Sequence, residues 1–141
     1  MQERKDTPAV ALWCAAYAGD LALAERLIAE GVDVNVWDGY GRSALTFAAD
    51  AGHLAVARRL VAAGAWVDPF GEDSVNMTPL MCAADRGHVE MAEYLLECGA
   101  DPTRQGGVPF RTAEAYARGQ HDFLAAILRR AEDEWRRARQ S

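Results

Sequence analysis

The sequence predicts an all-α protein built as a solenoid of four stacked helix–turn–helix units. Three observations predict it. Alanine fills 28 of the 141 positions, and alanine has the best helix propensity and lets neighbouring helices approach closely. Four segments align in phase: Val10–Val34, Ser43–Val67, Thr78–Pro102 and the weaker Phe110–Asp133. Each has a glycine nine residues after its start (Gly19, Gly52, Gly87 and Gly119), and three have a second one twelve residues later, Gly31, Gly64 and Gly99. Self-similarity at a period of this length marks a repeat architecture.

Residues 1–7 open the chain as a polar tail without the apolar stretch of a secretory signal. The repeats then fall near 8–35, 36–68, 69–103 and 104–139. The third shows the local logic best. Leu80, Ala83 and Ala84 recur at helical spacing ahead of Gly87, which ends the first helix because glycine accepts the left-handed terminal conformation. Met91, Ala92, Leu95 and Leu96 then form one apolar stripe on a second helix. Gly99 closes that helix, and Asp101-Pro102 confirms the break, since proline disfavours helix in the residue before it. Neither helix can bury its stripe alone, so neighbouring copies must stack.

The third copy carries a resemblance to a known family: Thr78-Pro79-Leu80, Ala83, Gly87-His88, Leu95-Leu96 and Gly99-Ala100-Asp101. In these residues the chain resembles the ankyrin repeat, with Met81 standing where the family motif has a histidine. The second copy keeps Gly41, Leu45, Ala48, Gly52-His53 and Gly64-Ala65. The first departs at its opening, Val10-Ala11-Leu12-Trp13, and the fourth lacks a closing glycine, so these two resemble terminal caps. The resemblance covers about residues 8–133. It implies a non-catalytic binding module that contacts partners through its concave side, the loop tips and one face of the first helices. It also implies that His53 and His88 hydrogen-bond in the turn between helices.

Composition narrows the function classes. The formal net charge is -6, which argues against generic nucleic-acid binding, since that depends on Lys and Arg neutralising phosphates. No apolar run is long enough for a membrane span. Three cysteines (Cys14, Cys82 and Cys98) form no complete disulfide set and no metal-ligand doublet. A cytoplasmic protein, monomeric when free, is therefore expected, with no cofactor and no metal site. Cys14 and Cys82 share one repeat position and read as small buried hydrophobes. His53 and His88 would stand about 10 Å apart, too far to share a metal ion, and His121 reads as a surface residue.

The residues that the repeat does not require point to a binding surface. Trp37, Tyr40 and Arg42 lie in the first connecting loop, Trp66 at the end of the second repeat, and Phe70, Glu72 and Asp73 in the longer second loop. Asp50, Asp85 and Arg86 precede the helix-ending glycines, at positions that the resemblance places on the concave side. With Asp38 these residues describe an acidic, aromatic-edged groove about three repeats wide. Such a groove suits a protein partner with a basic surface, as in an inhibitor or immunity protein that neutralises an enzyme or toxin. Two other classes are weaker: nucleic-acid binding through Arg136, Arg137 and Arg139, and an enzyme or sensor using Cys98 or the groove acids.

Overall fold

The computed structural model describes residues 7–69, 76–107 and 111–140. Regular structure among them is helical throughout, apart from an isolated antiparallel bridge between Gly106 and Arg111. The chain divides into two compact units, Met1–Trp66 and Val67–Ser141. The first holds α1 (Pro8–Ala18), α2 (Leu21–Ala29), α3 (Ala44–Ala51) and α4 (Leu54–Ala62). The second holds α5 (Pro79–Arg86), α6 (Val89–Glu97), α7 (Ala113–Ala117) and α8 (Asp122–Gln140).

The first helix of every pair starts on a hydroxyl. The side chains of Thr7, Ser43, Thr78 and Thr112 accept from the backbone N–H of Val10, Thr46, Met81 and Ala115 at 3.2–3.4 Å, which satisfies one of the unpaired donors of a helix start. Pro8 and Pro79 follow at the first helical position, where a missing N–H costs nothing. Three of these helices end on Gly19, Gly52 and Gly87, with φ of 78°, 81° and 76°.

The fourth pair corrects the sequence alignment. Its first helix is Ala113–Ala117 with Thr112 as N-cap, so the capping hydroxyl that opens the second and third segments falls at Thr112 and not at the aligned start Phe110, which lies outside the described residues. It is also only 5 residues long and ends on Arg118 in an extended conformation, with Gly119 following it rather than capping it. A buried glutamate compensates for the missing turn. Glu114, 4 % exposed, accepts from the guanidinium of Arg118 and, at 2.8 Å, from Arg129 on α8. These hydrogen bonds, Arg118 foremost, outweigh burial and hold its carboxyl below the ordinary glutamate range.

The alanines explain the close stacking. In the first unit α1 packs on α3 through Leu12, Ala15 and Ala16 against Ala44, Leu45, Ala48 and Ala49, all buried. In the second, Leu80, Met81, Ala83 and Ala84 of α5 pack between α6 and α7. Cys82 is buried, but Cys14 is exposed, against expectation. At about 100° per residue Cys14 sits opposite the Leu12–Ala15–Ala16 face of α1, whereas α5 is enclosed from Pro79 to Ala84.

One repeat position joins successive loops by two different chemistries. Asn35 uses both ends of its amide: Oδ1 accepts from Trp66 N–H at 2.8 Å and Nδ2 donates to Gly64 O at 3.0 Å. The equivalent residue in the second unit is Asp68, whose Oδ2 accepts from Asp101 N–H at 2.8 Å while Oδ1 is buried without a hydrogen-bond partner. Arg104 Nε stands 3.6 Å from Oδ2, an ion-pair contact too long for a hydrogen bond. Burial pushes the Asp68 carboxyl above the ordinary range, against the Asp101 N–H and Arg104.

Asp68→Asn is therefore expected to raise stability at pH 7 by about 0.5–1 kcal/mol, because the amide regains the second hydrogen bond and removes a buried charge. The sign fixes the pH window. A carboxyl with a raised folded pKa is disfavoured as the anion, so the cost is absent below the unfolded value of 3.8 and grows as pH rises through the raised one. The gain should vanish in urea titrations run towards pH 3. A variant less stable than the parent at pH 7 would contradict the assignment.

Candidate functional site

In the first unit the predicted residues Tyr40 and Arg42 are held in one tight turn organised by Asp38. Asp38 Oδ1 accepts from Tyr40 N–H at 2.9 Å and from Arg42 N–H at 3.0 Å. Its Oδ2 pairs with Arg42 Nε at 2.9 Å and Nη2 at 2.8 Å. Partial burial tends to raise the Asp38 pKa, but the hydrogen bonds from Arg42 and Tyr40 hold it below the ordinary range. Asp38 thus leaves the expected acidic groove, because Arg42 compensates its charge.

The paired guanidinium is stacked as well. Arg42 lies 5.1 Å from the ring centroid of Tyr40 and 4.8 Å from that of Phe47, inside the range of cation–π attraction. Phe47 continues the row: Trp13 and Tyr17 each have ring centroids 6.3 Å from it, Tyr17 edge-on. Trp13 is fixed at its other end by donating Nε1–H to Val36 O at 3.0 Å. The result is a ladder of Tyr40, Arg42, Phe47 and Tyr17 across loop and first helices, with Tyr40 78 % and Tyr17 55 % exposed.

Sequence reasoning missed Trp13, Tyr17 and Phe47. A signal was available in the repeat register, since Tyr17 occupies the position of Asp50 and Asp85, and Phe47 that of Cys14 and Cys82. Trp37 and Trp66 are both exposed, at 44 % and 54 %. Trp66 is tied to the first loop through its backbone bond to Asn35. Asp50, half-exposed, sits at the end of α3. In the second unit Asp85 and Arg86 are exposed at the end of α5. Phe70, Glu72 and Asp73 lie outside the described residues.

The histidines sit at the turns between helices. His53 and His88 are the N-cap residues of α4 and α6, yet neither makes a side-chain capping hydrogen bond. The His53 ring instead covers Gly19, where an added Cβ would come within 2.7 Å of it. His121 is no simple surface residue. Its ring covers Gly87 in the same way, and its Nε2 stands 3.2 Å from Asp85 O. The 33-residue step from His88 to His121 was the legible sign.

Among the described residues no three His, Cys, Asp or Glu side chains are grouped to hold a metal, and no helix is long and apolar enough to cross a membrane. Of the arginines near the end of α8, Arg136 pairs with Glu132 at 3.3 Å and Asp133 at 3.9 Å, and Arg139 stacks on Trp135. The first unit exposes an aromatic surface around the charge-compensated Asp38–Arg42 pair, which can bind by contact area and stacking.

Residues 12–106 match the family of ankyrin repeats, in three copies. No curated protein matches the chain. The match takes in α1 to α6 from Leu12 onward and leaves α7 and α8 outside. Ankyrin repeats are in general protein–protein interaction modules without catalytic activity. With helix pairs capped by hydroxyls, ended by left-handed glycines and matched over two thirds of its length, the chain belongs to the ankyrin-repeat family.

Proposed function

We propose that the chain is a non-catalytic binding protein that holds a partner protein with a basic surface through its loop tips and first-helix faces, and that it neutralises that partner stoichiometrically as an inhibitor or immunity protein. The observation that carries the reading is the ordered ladder of Tyr40, Arg42, Phe47 and Tyr17 beside exposed Trp37. Exposed aromatics and a pre-ordered arginine are the usual anchors of protein interfaces, and ordering them in advance lowers the entropy lost on binding. The acids Asp50, Glu72, Asp73 and Asp85 add the negative charge that steers a basic partner, while Trp66, Phe70 and Arg86 extend the contact. The repeats near 8–35, 36–68, 69–103 and 104–139 act together in this reading, in the cytoplasm and without a cofactor.

Affinity capture on the tagged chain, followed by mass spectrometry, identifies the partner, and titration calorimetry then maps the surface. Trp37→Ala or Tyr40→Ala should weaken binding by about 2 kcal/mol, roughly 30-fold. Asp73→Lys should mainly slow association and flatten its salt dependence. Arg58→Ala, Glu90→Ala and Glu93→Ala, at exposed positions on the second helices of their pairs, should leave affinity unchanged. Loss of binding in those three with none in the loop variants would place the interface on the other face.

A further inference from the structure

The second unit carries a groove that the proposed function does not use. It encloses about 250 Å³ between the end of α6 and the last turns of α8, and its walls include Leu96, Pro102, Glu134, Trp135, Ala138 and Arg139. The last four recur at i, i+1, i+4 and i+5 and so share one face of α8. Trp135 is half-buried there, with the Arg139 guanidinium 3.7 Å from its ring centroid. The ion pairs of this stretch go elsewhere, from Glu132 and Asp133 to Arg136. Among the described residues Glu134 and Arg139 therefore each lack an opposite charge.

This face is complementary to itself. An antiparallel two-fold axis passing between residues 136 and 137 sets Glu134 of one copy against Arg139 of the other. The same axis sets Trp135, the largest side chain of the face, against Ala138, the smallest, and each pairing occurs twice. Arg136 and Arg137, which that axis would otherwise bring together, project about 130° to either side of the face and stay clear of each other. Acid meets base and large meets small under one symmetry operation, the requirement of an isologous contact.

We propose that the groove is a docking site for a second copy of this chain, joined antiparallel along the end of α8. The contact is small, on the order of 400 Å² per copy, about half that of a standard stable interface. The dimer therefore forms at high concentration, with a dissociation constant on the order of 0.1–1 mM. The monomer expected from the sequence is then the dilute form.

Sedimentation equilibrium of the full chain from 10 µM to about 1 mM tests this, with circular dichroism confirming that each variant stays helical. The parent should show a reversible monomer–dimer equilibrium. Glu134→Arg and Arg139→Glu should each weaken it by about 10-fold or more, since each sets like charges together twice. The double exchange Glu134→Arg with Arg139→Glu should restore it to within about threefold. Arg137→Glu, with the same change in net charge as Arg139→Glu but off the face, should leave it unaltered. A chain that stays monomeric throughout, a double exchange that fails to recover, or an Arg137→Glu variant as impaired as Arg139→Glu would each overturn the proposal.

Discussion

Leu95→Ala is expected to lower the unfolding free energy by about 2–5 kcal/mol. Leu95 is fully buried, on the stripe that it shares with Met91 and Ala92 where α6 packs against α5. Its carbonyl also closes the helix end by accepting from Cys98 and Ala100 N–H at 3.1 and 3.0 Å. The backbone bonds survive the substitution, so the loss comes from the transfer of the removed side chain and from the cavity left behind. A solenoid unit has neighbours only on its sides and little means to collapse around such a hole. Glu97→Ala, two residues on and exposed, should change stability by less than about 0.5 kcal/mol. An acid at a helix C-terminus also opposes the helix dipole, so any change there should favour alanine. Urea unfolding followed by circular dichroism compares the two. A Leu95→Ala loss below about 1 kcal/mol would mean that α6 does not pack through this stripe.

Much of this architecture was legible because it follows from local rules. The glycines at 19, 52 and 87 end helices since the backbone there has positive φ, and the stripe of α6 buries Met91, Ala92 and Leu95 of the four residues that its periodicity named, while Leu96 is half-buried. The fourth pair was misread for a physical reason. Its first helix is shortened to Ala113–Ala117 and held by Glu114, Arg118 and Arg129, and a charge-based staple leaves no trace in apolar periodicity. The binding surface was legible in part. Tyr40 and Arg42 stand out in the sequence as residues that the repeat does not need, whereas the pairing of Asp38 with Arg42, which changes the charge of the surface, depends on the turn conformation. Cys14 and Cys82 share a repeat position but not burial, because burial depends on which neighbours enclose the helix.

Gly87→Ala is expected to cost about 2–5 kcal/mol, combining two separable effects. Gly87 has φ +76°, where a Cβ meets the following carbonyl at a cost of about 1–2 kcal/mol. The added Cβ would also lie 2.5 Å from Nδ1 and 2.6 Å from Cε1 of His121, so the ring must shift, at about 1–3 kcal/mol more. That ring's Nε2 stands 3.2 Å from Asp85 O, so displacing it loosens the seam where α5 receives the last pair. The two effects part in a double-mutant cycle. His121→Ala alone loses the ring's packing. In the double variant Gly87→Ala with His121→Ala, the clash has already gone, so the combined loss should fall short of the sum by about 1 kcal/mol or more. Gly99→Ala is the reference for backbone strain alone, since φ is +97° and no atom lies within 4 Å of its Cβ site. Denaturant unfolding of the four chains measures the coupling. Strict additivity would show that His121 does not cover Gly87, and that the fourth pair is held by α7 packing and the Glu114 staple alone.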